Sequence, residues 1–152
     1  MLIIGIDPGA SGGIAFLYEG RAEAHKIPGT DADIRDLLTA HGQHAGNVFA
    51  YIEKVHAMPG NGATSMFNFG SNFGALKMAL TCCYIPYEMV TPQKWKKEFG
   101  LIFQKKLKMT QTQIKNKDKA RAQELFPSIK MTHAIADSLL IAEYGRRTRG
   151  DK

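Results

Sequence analysis

Three carboxylates stand where a folded chain would prefer apolar side chains. Asp7 closes the run LIIGID, Glu53 closes VFAYIE, and Asp137 interrupts AIADSLLIA. A carboxylate in such surroundings is costly unless a cation or a paired donor offsets the loss of water. Singly, each also reads as a surface or capping residue. Jointly, and beside a strongly basic segment, they read as a hard-metal site in which a few oxygen ligands hold Mg²⁺ or Mn²⁺ and leave positions open for phosphate and water. Two such cations, about 3.5–4 Å apart, are what phosphodiester hydrolysis needs to activate a water and stabilise a leaving 3′ oxygen, with no side-chain nucleophile. His133 precedes Asp137 by four residues, so on a helix both lie on one side. Its imidazole could bind metal, position or deprotonate the water, or simply bond backbone at the helix start.

The elements that would carry these groups follow from pattern. Leu2–Asp7 and Gly13–Tyr18 are apolar runs divided by PGASGG, and a third strand over Ala22–Ile27 would complete an antiparallel meander. The turn after Asp7 is compatible with a phosphate cradle, a metal site or a plain hairpin. Asp31 or Asp33 can cap a helix running to about His41, stopped by Gly42. Val48–Glu53 is the next strand. A Gly- and Pro-rich loop leads into a helix from Ser65 to about Cys83, with Phe69, Phe73, Leu76 and Leu80 on its apolar side. Phe69 and Phe73 read as core or dimer-interface residues. Ile85–Val90 is a strand, and Thr91-Pro92 starts a helix carrying Trp95 and Phe99 on one face. Residues 100–116 read as a polar loop or short helix, Lys117–Phe126 as a helix stopped by Pro127, and Thr132 as the cap of a last Ala- and Leu-rich helix. Strands first, then helices alternating with strands, indicate one mixed α/β domain over residues 1–152.

Charge is distributed unevenly over the 152 residues, whose net is +6. Residues 1–93 carry 5 Lys/Arg against 8 Asp/Glu, whereas residues 94–121 carry 10 against 2. A basic block next to an acidic site suggests a polyanion held beside bound metal, although a solvated helix face has the same composition. No apolar run approaches the ~20 residues of a membrane span. The opening residues lack the features of a signal peptide, so a cytoplasmic location is expected, in the host bacterium if the source is a phage. The adjacent Cys82 and Cys83 form no zinc pattern and read as buried packing residues.

Five segments in order, IIGIDPGASGGIA, YIEKVHAMPGNGATSMFNFGSNFGALKMAL, YEMVTPQKWKKEFGL, KNKDKARAQELFP and THAIADSLLIAEYGRR, resemble the RuvC family of Holliday junction resolvases. The similarity spans nearly the whole chain and is greatest to the RuvC-like resolvases of bacteriophages and prophages. It implies an RNase H-like fold with a central mixed five-stranded sheet and helices on both faces. It further implies a homodimer that nicks paired strands of four-way branched DNA symmetrically, using divalent metal and leaving 5′-phosphate and 3′-OH ends. By position Asp7, Glu53 and Asp137 match metal ligands, and His133 stands where the family usually has a further Asp. An imidazole in place of a carboxylate should favour Mn²⁺ relative to Mg²⁺. Lys96 and Lys119 match lysines near the scissile phosphate, which adds Lys119 to the catalytic set. Lys97, Lys105, Lys106, Lys115 and Lys117 would extend the phosphate track. His56 and Met58 resemble in place the residues that enter the junction centre.

Three rival readings stand beside this one. An actin-like ATPase also opens with a strand and a DxG turn, but 152 residues cannot supply its two lobes, so no nucleotide cofactor is expected. A catalytically impaired branched-DNA binder, or a broader flap and fork nuclease, is the alternative within nucleic-acid function.

Overall fold

The computed structural model describes residues 1–42, 46–56, 62–102 and 109–150. In chain order the elements are β1 (Leu2–Ile6), β2 (Gly13–Tyr18), β3 (Arg21–Lys26), α1 (Asp31–Gly42), β4 (Val48–Glu53), α2 (Ala63–Cys82), β5 (Tyr87–Val90), α3 (Pro92–Glu98), α4 (Gln111–Leu125) and α5 (His133–Gly150). They build one five-stranded sheet of order β3-β2-β1-β4-β5. The meander β1–β2–β3 is antiparallel, while β4 and β5 run parallel to β1.

Every residue of β1 is buried because helices cover both faces of the sheet. On one face Leu2, Ile4, Ile6, Ile14 and Phe16 pack with Ile34 and Leu38 of α1 and Leu76 and Leu80 of α2. On the other, Ile3, Ala15, Leu17 and Tyr51 pack under Leu139, Leu140 and Ala142 of α5, with Trp95 of α3 in the same cluster. Among the described residues no helix is long and apolar enough to cross a membrane.

Four details differ from the sequence reading. The helix α1 is capped by Thr30, whose hydroxyl accepts from the Asp33 amide at 3.1 Å and donates to the Asp33 carboxylate at 2.7 Å, rather than by Asp31 or Asp33. The helix α4 begins at Gln111 and not at Lys117, because Thr110 and Gln113 form a reciprocal capping box at 3.2 and 2.8 Å. The strand β5 begins at Tyr87, after Pro86, a residue that cannot donate to a ladder. Cys82 is exposed and Cys83 half-buried, so neither is a fully buried packing residue. Met58, Lys105 and Lys106 lie outside the described residues.

Candidate active site

The pleat brings the first two carboxylates together. In β1 and β4, Gly5 is register partner to Tyr51 and Ile6 to Ile52. Continuing that register by one residue sets Asp7 beside Glu53 at the carboxyl ends of adjacent parallel strands. Side chains alternate across a sheet, so Ile3, Gly5 and Asp7 share a face with Tyr51 and Glu53, the face that α5 covers.

Two glycines let α5 lie close enough to contribute the third. A Cβ on Gly5 would collide with the Ser138 carbonyl and the Ala142 amide, and one on Gly13 would stand 2.5 Å from the Ala134 carbonyl. With Ala134 over the hairpin, Ser138 over Gly5 and Gly145 against Ile3, α5 runs antiparallel to β1. Its N-terminal end, the positive end of the helix dipole, therefore points toward the edge where Asp7 and Glu53 emerge, and Asp137 lies in its second turn.

All three carboxylates are partly buried, and they repel one another. Burial, then Asp7 and Asp118, push Asp137 up to about 7, against the pull of Lys96. Burial and Asp7 likewise push Glu53 up to about 7, although the buried Trp95 indole donates to its Oε1 at 2.9 Å. Burial raises Asp7 too, opposed by the Gly9 amide, which donates to its Oδ1 at 3.1 Å, and by Lys115 and Lys96. Among the described residues this donor set has an excess of negative charge over the lysines that act on it, Lys96 and Lys115, and it consists of oxygen ligands. Both properties fit a hard divalent cation.

The turn after Asp7 is a hairpin stabilised from within. The Asp7 amide donates to the Gly13 carbonyl at 3.0 Å and the Gly12 amide to the Gly9 carbonyl at 2.8 Å. With the Gly9 amide on the Asp7 carboxylate, these amides are occupied by the turn itself and not arrayed for a phosphate.

His133 is exposed at the start of α5, with Nε2 2.9 Å from Oδ1 of Asn116 on α4. Lys97, Lys115 and Lys117 are exposed, whereas Lys119 is half-buried on α4. Lys96 is held by Asp118, Nζ to Oδ2 at 2.7 Å, where its carboxylate partner is 1% exposed. His56 is exposed and, with Glu53, Met66, Phe69 and Pro92, lines a cleft of about 430 Å³ between the carboxylate edge and α2.

Asp118 is the electrostatic participant that sequence reasoning missed. It looks like one acid in a basic helix, KNKDKAR, yet its position on α4 buries it against Lys96 and brings its charge onto Asp137 and Glu53. The Trp95 indole donor was missed as well, because spacing identified Trp95 only as an apolar face residue.

No protein-family model and no curated protein matches this chain. Solved structures do. T. thermophilus RuvC in complex with Holliday junction substrate superposes over 98% of this chain and 97% of its own, with a TM-score of 0.62 and 15% identity. The fold is that of RuvC. A second Thermus thermophilus RuvC structure gives a TM-score of 0.63 at 16% identity, over 97% of this chain and 96% of that one. The shared RuvC fold is the RNase H-like mixed sheet with helices on both faces that the sequence resemblance implied.

Proposed function

We propose that the chain is a metal-dependent, structure-selective DNA endonuclease that resolves four-way junctions by paired symmetrical nicks. The observation that carries this reading is that Asp7, Glu53 and Asp137, at the ends of β1 and β4 and the start of α5, lie close enough for their charges to act on one another, opposed among the described residues by Lys96 and Lys115. The RuvC fold, one example of which is solved with a Holliday junction, supports the choice of substrate.

Asp7, Glu53 and Asp137 would hold Mg²⁺ or Mn²⁺, with His133 as a further candidate ligand, and the cation would supply water activation and charge neutralisation at the leaving 3′ oxygen. The protein's own groups do the positioning. The Gly9 amide donates to Oδ1 of Asp7 and the Trp95 indole to Oε1 of Glu53, so each holds one oxygen of its carboxylate in place. Lys96 and Lys115 bring positive charge to the same edge, where a phosphodiester would arrive, and Lys97, Lys117 and Lys119 continue the basic surface. His56 stands beside the cleft that separated bases would enter.

A four-way junction is near two-fold symmetric, so two coordinated cuts require two copies of a one-site chain, related by a C2 axis. The surface for this is α2. Of its 20 residues Leu76 and Leu80 are buried, while Phe67 is 74% exposed and Met78 61%. An apolar helix face this open on a single copy suits an isologous contact.

The test is a panel of labelled four-way junction, Y-fork, flap and plain duplex, incubated with Mg²⁺, Mn²⁺ or EDTA. Preferential nicking of the junction with either metal is expected. Equal cutting of forks and flaps would make the chain a general branched-DNA nuclease, and a bound but uncut junction would make it a binding protein.

A further inference from the structure

On the opposite face of the sheet from the carboxylate site, β3 and the end of α1 bring together a different donor set. Glu23 and His25 alternate on the same side of β3 as Phe16 and Ile14 of β2, their register partners. His41 lies in the last turn of α1. Among the described residues this is the group of His, Cys, Asp or Glu whose ligating atoms all lie within 4.8 Å of one another. Both imidazoles address one carboxylate: His25 Nε2 is 2.6 Å from Glu23 Oε1, and His41 Nε2 is 3.4 Å from Glu23 Oε2.

The surroundings orient these groups as ligands. His41 Nδ1 is 2.9 Å from the Leu37 carbonyl, an acceptor, so Nδ1 donates there and Nε2 is the ring atom that faces Glu23. A backbone carbonyl holding the second ring nitrogen is the usual support of a metal-binding histidine. Phe16 stacks on the His41 ring at 3.9 Å between centroids and 14° between planes, which locks its tilt. The negative end of the α1 dipole favours a cation at this place. A cavity of about 670 Å³, lined by Phe16, Glu23 and His41, leaves room for water as a further ligand.

We propose that Glu23, His25 and His41 form a site for a transition-metal cation of the Zn²⁺ class that fastens the edge strand β3 to α1. Two imidazoles and one carboxylate suit Zn²⁺ and its first-row neighbours and disfavour Mg²⁺, which prefers all-oxygen sites. A tetrahedral Zn²⁺ with bonds of ~2.1 Å holds its ligand atoms roughly 3.4 Å apart, and here the candidate ligand atoms all lie within 4.8 Å of one another, with His41 Nε2 3.4 Å from Glu23 Oε2. The site is independent of the nuclease reading, since it shares no residue with the carboxylate edge.

The test uses the full chain stripped with EDTA and dialysed, then titrated with Zn²⁺, and with Co²⁺ as a visible-absorption probe. One equivalent of Zn²⁺ is expected to bind the D7N/D137N variant, in which the carboxylate edge is disabled, and at least one the wild type. At about a hundred times its dissociation constant it should raise Tm by about 5–10 °C. Co²⁺ should give the intense bands of four-coordination. The H25A/H41A variant, and separately the milder E23Q, should lose the Co²⁺ bands and most of the Tm shift. Absence of stoichiometric Zn²⁺ binding to D7N/D137N would overturn the proposal, as would Co²⁺ bands that persist unchanged in H25A/H41A.

Discussion

Asp137→Asn should stabilise the metal-free protein at neutral pH while it abolishes cleavage. Burial and the Asp7 and Asp118 charges raise the Asp137 carboxyl from 3.8 to about 7. Between roughly pH 4 and pH 7 the folded state therefore binds more protons than the unfolded state, and stability falls as pH rises through that window. At about 1.36 kcal/mol per pH unit, holding this carboxylate ionised at pH 7.5 costs the fold ~4 kcal/mol. Asparagine still buries an uncharged amide, which returns part of the penalty, so a net gain of about 1–3 kcal/mol is expected. For a chain of this length that is a Tm increase of about 3–10 °C. The assay is thermal or urea unfolding of wild type and D137N in EDTA at pH 5 and pH 7.5, repeated with saturating Mn²⁺. The advantage of D137N should shrink toward pH 5, and Mn²⁺ should stabilise the wild type but not the variant. A D137N protein that is no more stable than wild type at pH 7.5 in EDTA would refute the electrostatic reasoning, whatever its activity.

Gly5→Ala places a methyl group against the backbone of α5 at Ser138 and Ala142. It should cost at least the roughly 1–3 kcal/mol of an overpacked core and displace Asp137 from Asp7; an unchanged Tm with full cleavage would show that α5 does not need that close approach. Lys96→Ala leaves Asp118 buried without its partner, which should cost about 3–5 kcal/mol in chemical denaturation. Wild-type stability there would mean that the Lys96–Asp118 pair does not hold α3 to α4. Lys119→Ala should weaken junction binding and lower the salt dependence of log K by about one unit, and an unchanged slope would remove Lys119 from the phosphate track.

What could be read in the sequence depended on whether a residue's role was local. Asp7 and Glu53 announce themselves because an apolar strand ends on a charge, and Asp137 because a charge breaks an apolar helix. The order of strands and the two-sided burial of LIIGI follow from the same patterning. Asp118 gave no such signal, because its burial arises from the packing of α4 on α5 and from its pairing with Lys96 of α3, which only the fold supplies. Gly5 sits in an ordinary strand, and its need to be glycine comes from a helix more than 130 positions away in the chain. Glu23, His25 and His41 are unremarkable in sequence, being joined by tertiary packing of β3 on the end of α1. The start of α4 is different, since the capping pair Thr110 and Gln113 was present in TQTQ and a reading by composition passed over it.

The central claim is that metal held by Asp7, Glu53 and Asp137 cuts DNA at four-way junctions. Its most direct measurement is a junction labelled in turn on each strand, with binding and cleavage followed in the same samples for wild type and D7N. Wild type is predicted to make paired, symmetry-related nicks in Mn²⁺ or Mg²⁺ and none in EDTA, while D7N binds the junction with similar affinity and leaves it intact. Nicks made by D7N at the wild-type rate, or a junction bound by wild type and left uncut in both metals, would contradict it.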